Sequence, residues 1–320
     1  LGCAAPFLTV RPQRGWHPMP TASAPTAAPA AIPAHQLPAL AASGLKALSL
    51  AGRRLLPIVQ GGMGVGVSAH RLAGAVAAEG GVGTLSSVDL RRHHPDLMAR
   101  TEGLAARVGQ DADTKAQIDA ANLEAIEREV RAARELSQGR GLLAINVMRA
   151  VSEYAASVRA ALQAGVDAVV VGAGLPLDLP DLAKDHPQAL LIPILSDSRG
   201  VALIVKKWER KKRLPDAIVI EHPRLAAGHL GAAKIADLND PRFDFERVIP
   251  ESLEFLRKAG IEKEIPLIAA GGIRSFEDIA RLQSLGAAAV QLGTPFAVTE
   301  EGDASEAFKR VLAGAKDEDM

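Results

Sequence analysis

The chain predicts an α/β fold, an eight-stranded parallel (β/α)8 (TIM) barrel preceded by a disordered segment. Three features carry that expectation. Short apolar runs rich in β-branched residues recur eight times, amphipathic helical patterns separate most of them, and the units fill residues 55–320. Strands apolar on both faces belong to a parallel sheet covered by helices, and one such barrel takes roughly 250 residues. A doubly wound open sheet is the alternative. The even spacing, without a strong mid-chain break, favours closure.

Residues 1–45 hold 12 Ala and 8 Pro and no acidic residue; the first carboxylate is Glu79. Such a stretch buries too little apolar surface to offset the entropy of ordering, so it reads as a disordered tail, and residues 46–320 as the barrel. Being acid-free, with Arg11 and Arg14, it also suits a targeting peptide, but it lacks the compact apolar core of a secretory signal. Sequence upstream of a start at Met19 is the other reading, and a tail or such an artefact is favoured over targeting. The strands are expected at 57–60, 81–85, 142–147, 167–171, 189–194, 216–220, 266–270 and 288–292. Helical patterns fall at 68–78, 114–137, 152–164, 198–213, 275–285 and 304–313. Two segments break the rhythm. One is a polar piece at 90–113 containing Arg91, Arg92, His93 and His94; the other is an inserted loop and helix after strand six, at about 233–262, with Asp237, Asp240, Asp244 and Glu246. Both follow strand C-terminal ends, where barrels build their sites, and either suits a lid.

Composition removes several function classes. Lys plus Arg and Asp plus Glu balance at 37 each, so no net field draws the chain to nucleic acid or an anionic membrane. Aromatics are 3%, too few for base-stacking platforms. Cys3 is the single cysteine, which excludes an internal disulfide framework and thiolate metal clusters and leaves the barrel without a cysteine nucleophile. No apolar stretch reaches the roughly 18 residues that span a bilayer, and a cytoplasmic location is expected. His70, His93 and His94 show no metal-ligand spacing.

Chemistry concentrates in the turns after the strands. Gly271-Gly272 follows strand seven, and Gly293-Thr294 follows strand eight. Barrels commonly hold a phosphate there, because glycine lets amide N–H groups face its oxygens and a helix N-terminus adds partial positive charge. Either pair alone reads equally as a turn; together, at successive strands, they favour phosphate. The run Gln60-Gly61-Gly62-Met63-Gly64-Val65-Gly66 follows strand one. A dinucleotide site needs an acidic residue about 20 positions on, at the next strand tip, and that strand ends in Thr84-Leu85-Ser86-Ser87. A flat cofactor ring against the glycine backbone fits better, with Met63 packed on one face. Asn146 closes strand three, where its amide suits a helix cap or a planar heterocycle. Gly172-Ala173-Gly174 closes strand four and Ser196-Asp197-Ser198 closes strand five, the latter equally a helix cap. After strand six comes EHPRLAAGHLG, in which His229 stands between Gly228 and Gly231. An imidazole is the side chain suited to moving protons near neutral pH; the plainer reading is a loop histidine bonded to backbone.

Taken in order, QGGMG, INV, GAGLP, AAGHLG, AAGGI and QLGTPF resemble the nitronate monooxygenase family (older name 2-nitropropane dioxygenase), whose relatives include flavin-dependent enoyl-acyl-carrier-protein reductase and NADH:quinone reductase. The likeness runs from about Leu55 to Ala313. It implies a barrel binding flavin mononucleotide (FMN). Gly271, Gly272, Gly293 and Thr294 would hold the phosphate, Gly62 and Met63 border the isoalloxazine, Asn146 lie near its polar edge, and Gly228 belong to the cofactor site. His229 matches the family's active-site histidine, facing a substrate stacked on flavin. The implied reaction is oxidation of alkyl nitronates with O2, a neutral imidazole removing the α-proton of a nitroalkane and then stabilising the anion. The alternative is an NAD(P)H reductase of quinone or enoyl substrates, in which the histidine orients a carbonyl. A small-molecule substrate is expected, without nucleic acid, membrane or metal, and a homodimer is compatible with the sequence.

Four positions depart from the family. Ala227 replaces the first of a glycine pair, His222 a glycine, Pro295 an arginine, and Leu195-Ser196 a segment that often carries lysine. Reduced flavin is anionic and wants a compensating charge; Arg199 and Lys234 are the substitutes by position. These differences bear on the substrate more than on the cofactor. The basic stretch at 206–213 suits a solvated helix end, or, functionally, a docking site for a phosphorylated carrier or NADPH. A phosphosugar lyase or isomerase would want a lysine or paired carboxylates at strand ends, where Glu221 is the lone carboxylate. Inosine monophosphate dehydrogenase is similar in its phosphate loops but needs a core cysteine. A non-catalytic regulatory barrel is the remaining alternative.

Overall fold

A β-hairpin precedes the barrel. Strands β1 (Leu48–Leu50) and β2 (Arg53–Leu55) pair antiparallel about Ala51 and Gly52, both at positive φ, the backbone of a tight hairpin turn. Leu48, Leu50 and Leu55 are buried with Val59, Val82, Leu142 and Leu190, inward-facing residues from the starts of barrel strands. The hairpin therefore plugs the end opposite the strand C-termini. The computed structural model describes residues 32–104, 112–226, 231 and 234–315.

Helix α1 (Leu37–Ser43) lies ahead of the hairpin, with Leu40 buried and Gly44 closing it at φ +70°. His35 and Gln36 reach the Glu79 carboxylate at 2.7 Å each. The tail boundary expected at 46 is thus corrected: the folded chain reaches back to residue 32. Three buried residues, Ile32, Pro33 and Leu40, hold this piece, too few to stand out against its Ala/Pro composition. Residues 1–31 lie outside the described part.

Eight strands form the barrel: β3 (Ile58–Gln60), β4 (Val82–Ser86), β5 (Leu142–Met148), β6 (Ala168–Gly172), β7 (Leu190–Leu195), β8 (Ile218–Glu221), β9 (Leu267–Ala270) and β10 (Ala289–Leu292). Neighbours are parallel, and β10 pairs with β3 to close the ring, which settles barrel against open sheet. Successive residues alternate between its two faces. In β5, Leu143, Ile145 and Val147 pack outward against helices while Leu142 and Ala144 face inward, and the same parity turns Asn146 inward at the strand end. Where the β3–β4 ladder is reduced to Val59 opposite Val82, Gln60 supplements it: Thr84 N–H donates to Gln60 Oε1 (2.8 Å) and Gln60 Nε2 donates to Thr84 O (3.0 Å).

The outer layer comprises α2 (His70–Ala78), α3 (Pro95–Arg100), α4 (Ala112–Ser137), α5 (Tyr154–Ala164), α6 (Leu179–Leu182), α7 (Ser198–Glu209), α8 (Phe245–Lys258), α9 (Phe276–Ser284), α10 (Thr294–Ala297) and α11 (Glu306–Gly314). The insertion expected at 233–262 needs correction. Helix α8 is the ordinary crossover between β8 and β9, with Val248, Ile249 and Leu256 in the core between barrel and helices. Only the 3-10 turns Ile235–Asn239 and Pro241–Phe243 are additional among the described residues. An internal Pro250 and the acidic residues around its start made this helix read as part of an insertion. The polar piece at 90–113 contributes a 3-10 turn, Leu90–His93, and α3. Its Arg91 is buried, Nη1 donating to Thr101 Oγ1 at 2.8 Å and Nε 2.8 Å from Asp89 Oδ1. In the basic stretch at 206–213, Trp208 is fully buried and its Nε1–H donates to Pro176 O (3.1 Å), while Lys211 pairs with Asp181. No helix among the described residues is long and apolar enough to cross a membrane.

Candidate functional site

The C-terminal ends of the barrel strands carry the polar groups. After β3 the chain is tied down at both edges of the glycine turn: Gly61 N–H donates to Leu292 O (2.8 Å), Met63 N–H to Ser68 Oγ (2.8 Å) and Ser68 N–H to Met63 O (3.0 Å). Gly62 sits directly on Asn146, so close that a Cβ at residue 62 would overlap the Asn146 side chain. Met63 leans towards β10, where a Cβ on Gly293 would stand 3.4 Å from its sulfur. Four of the expected residues are thus brought together at the barrel mouth, Gly62 against Asn146 and Met63 against Gly293.

Gly271 and Gly272 follow β9, next to β10, with φ +106° and +69°. Both lie in backbone regions that side-chain-bearing residues avoid. The N–H groups of Gly272, Ile273 and Thr294 donate to no acceptor among the described residues, so two neighbouring turns present free amide donors. Ser275 then caps α9 in a reciprocal box with Asp278. Asn146 is 5% exposed, and its side-chain amide has no partner among the described residues. It does not cap a helix: α5 begins at Tyr154, with Glu153 at its N-cap. Gln291, absent from the expected set, faces the same mouth against Gly61, where a Cβ would come 3.3 Å from Gln291 Cγ. Its signal was available as strand parity, since Ala289 points inward and Gln291 is two residues on.

Gly228 and His229 lie outside the described residues. The loop that carries them leaves from Glu221 and His222. His222 is buried, its N–H donating to Ala270 O (2.9 Å) and its Nδ1 accepting from Arg224 N–H (3.3 Å). Its ring meets Phe245 edge-on at 5.8 Å. Burial pushes the His222 pKa below the ordinary histidine value, against the opposing pull of Asp244, 3.8 Å from Nε2, so it favours a neutral ring. Leu225, half exposed, lies over the glycine pair, its Cδ1 2.9 Å from where a Cβ on Gly272 would stand. The loop returns at Gly231, where a Cβ would run into Ser196. Asp197 caps α7, accepting from Gly200 N–H at 2.7 Å. Between the ends of β6, β7 and β8 lies a cavity of about 150 Å³ with Leu175, Ser196 and Glu221 in its lining. A larger groove of about 440 Å³ lies outside the barrel, between α8 and α9, and shows only helix surface.

Behind the first glycine turn stands a cluster that spacing alone could not reveal. Glu129, 1% exposed, accepts from both the backbone N–H and Nδ1 of His70 (2.8 Å each). His94 Nε2 lies 2.9 Å from its other oxygen, near enough for charge attraction but without hydrogen-bond geometry. The hydrogen bond to Glu129 raises the His70 pKa; for Glu129, burial works to raise the pKa, but the bonds and charge of His70 outweigh it and hold the value below the ordinary one. Among the described residues no group of three His, Cys, Asp or Glu side chains is arranged to hold a metal ion.

Fold and mouth together define a barrel of the enzyme type, with free amide donors at the ends of β9 and β10 and amide side chains across from them. The sequence matches the profile of nitronate monooxygenase over residues 53–320. The chain belongs to the nitronate monooxygenase family, a family of flavin-dependent oxidoreductases. A probable nitronate monooxygenase of Staphylococcus saprophyticus is 30% identical over 103 residues, 32% of this chain and 27% of that protein. A nitronate monooxygenase of Pseudomonas aeruginosa is 35% identical over 65 residues, 20% of this chain and 18% of that one. The matched region thus spans about a quarter or less of these relatives. Among solved structures, FabK from Thermotoga maritima superposes with a TM-score of 0.55 at 21% identity, covering 81% of this chain and 65% of that one. Nitroalkane oxidase from Streptomyces ansochromogenes gives 0.56 at 21%, covering 79% and 69%. At these identities the structural likeness speaks for the fold.

Proposed function

We propose that the protein is an FMN-dependent oxidoreductase that oxidises alkyl nitronates with O2. The observation that carries this reading is the pair of adjacent turns after β9 and β10 with free Gly272, Ile273 and Thr294 amides, in a chain of this family. A phosphate, rich in acceptor oxygens, suits those donors, and the amides of Asn146 and Gln291 suit the polar edge of a planar ring. Gly62 lets the backbone lie directly against Asn146, and Met63 offers an apolar, polarisable face. Bound FMN would supply the electron chemistry, with O2 as final acceptor.

The chain's own part is to position and to move a proton. His229, from the loop between β8 and α8, is the group assigned to take the α-proton at an imidazole nitrogen and to remain beside the anion as imidazolium. Assistance of that kind contributes roughly 10²–10⁴-fold. The visible spectrum of purified protein, before and after adding FMN, tests the cofactor. Anaerobic mixing with a nitronate, and separately with NADH, tests the reaction. Bleaching by the nitronate supports the proposal; bleaching by NADH alone makes the protein an NAD(P)H reductase of quinone or enoyl substrates. The variant His229→Ala is expected to keep bound flavin and lose at least about 10²-fold in kcat.

A further inference from the structure

Helix α2, which follows the first glycine turn, begins without a cap of its own. Its N-cap is Ala69, whose side chain accepts nothing, and the first N–H groups of such a helix need acceptors from elsewhere. Two remote carboxylates supply them. Glu129 accepts from the His70 N–H at 2.8 Å. Asp303, 234 residues from Ala69, serves the donors on either side: Oδ2 accepts from Ala69 (2.8 Å) and Leu72 (3.1 Å), and Oδ1 from Arg71 (3.2 Å). The contact is reciprocal, since Asp303 N–H donates to Val67 O at 3.2 Å. The segment carrying Asp303 is itself pinned. Arg71 Nη2 donates to Glu300 O (2.8 Å), and so does Nζ of Lys309 (3.3 Å), a residue only 6% exposed. That segment runs on directly from α10, and so from the turn that presents the Thr294 amide. On the other side, Ser68 precedes Ala69 and is bonded twice to Met63, donating its N–H to Met63 O and accepting from Met63 N–H at Oγ. Met63 in turn lies against Gly293. A closed circuit of contacts thus joins the turn after β3 to the turn after β10.

We propose that Asp303 is a positioning residue for the cofactor site. It touches neither cofactor nor substrate. Acting through the first turn of α2 and Ser68, it sets where Met63 and the glycine backbone stand relative to the turn after β10. The proposal rests on the flavin reading above and deepens it, naming the group that fixes the ring side of the site to its phosphate side. A carboxylate suits the task twice over. It satisfies three N–H groups at once, and its charge sits at the positive end of the helix. The ring side therefore depends on Asp303, whereas the Thr294 side, held by Lys309 and Arg71 through Glu300 O, does not.

The test compares the full chain with Asp303→Ala and Asp303→Asn, using amide hydrogen exchange and titration with FMN and with riboflavin. In Asp303→Ala, exchange across residues 63–72 should quicken at least about tenfold, while β5 and β6 stay within about threefold of wild type. Both flavins should lose affinity by a similar factor, at least about tenfold, because the ring is common to them and the phosphate is not. Asp303→Asn keeps one carbonyl oxygen for Ala69 and Leu72 and should recover most of both effects. Where Asp303→Ala does not fold, Asp303→Asn decides, with exchange at 63–72 expected about threefold faster than wild type from the acceptor lost to Arg71. Unchanged exchange at 63–72 in a folded variant overturns the assignment, and so does a rise spread evenly over the barrel, which marks a merely structural residue. Loss of FMN affinity without loss of riboflavin affinity overturns it as well, since the residue would then act on the phosphate. Protein that takes up neither flavin overturns the flavin reading instead, and the exchange pattern still decides whether Asp303 holds the turn.

Discussion

Removing the carboxylate of Glu129 should destabilise the protein in a way that depends on pH. Two donors converge on it, the His70 N–H and His70 Nδ1, and His94 Nε2 lies 2.9 Å from its other oxygen. Breaking a fully buried ion pair costs about 3–5 kcal/mol. Here the carboxylate is 1% exposed, but the His70 side chain is 33% exposed, so water recovers part of the loss and about 2–3 kcal/mol is expected for Glu129→Gln. The sign with pH follows from the two shifts. The His70 pKa is raised above its ordinary 6.5, so its contribution is complete below that value and fades as pH rises through the higher folded value. The Glu129 pKa is lowered from 4.5, so its contribution is complete above 4.5 and fades as pH falls through the lower folded value. The pair therefore contributes most between about pH 4.5 and 6.5. Asp303 supports the charged imidazole and Arg71 opposes it. Urea denaturation of both proteins at about pH 6 and about pH 8.5 reads the effect. The loss in Glu129→Gln should be larger at the lower pH, and wild type should weaken on going to the higher. An equal loss at both, or a loss under about 0.5 kcal/mol, refutes the argument.

Two further outcomes follow from the glycine turns. Gly62→Ala forces a Cβ into Asn146 with Leu85 O 3.2 Å away; overpacking of this kind costs about 1–3 kcal/mol, read by denaturation, and should shift the spectrum of any bound flavin, whereas an unchanged spectrum and stability would remove Gly62 from the cofactor's surroundings. Gly272→Ala puts a side chain at φ +69°, at about 1–2 kcal/mol, and disturbs the amide assigned to phosphate. Its affinity for FMN should drop at least about tenfold relative to its affinity for riboflavin, which lacks the phosphate; an unaltered ratio argues that phosphate binds elsewhere.

What the sequence could show is set by how local each signal is. Strands β5 to β10 were legible because a parallel strand is buried on both faces and reads as one apolar run, as Ala168–Gly172 and Leu190–Leu195 do. Helix α8 was legible as a helix but misassigned as an insert, because its acidic start and internal Pro250 look like loop, and only its packed face of Val248, Ile249 and Leu256 reveals the crossover. Hairpin β1–β2 escaped notice because two strands of three residues each give alternation no length over which to register. In the site, glycines could be picked out by position since their need is a backbone conformation, a property each carries alone. Side chains that act in pairs could not. Glu129 lies 59 residues from His70, within an amphipathic helix where one more carboxylate looks like solvent-facing surface.

His222 makes the same point from the other direction. A histidine before proline reads as a turn, and it does begin one, yet the residue is buried, its ring edge-on to Phe245 and its Cβ 3.4 Å from where a Cβ on Gly271 would stand. Where the resemblance leads one to expect glycine, this chain thus carries a side chain beside the proposed phosphate turn, and burial keeps its ring towards the neutral form. A neutral ring adds no positive charge there, so the phosphate would be held by backbone amides. That is compatible with the unbonded N–H groups of Gly272, Ile273 and Thr294, because amide donors, unlike a histidine, keep their strength at every pH at which the fold survives.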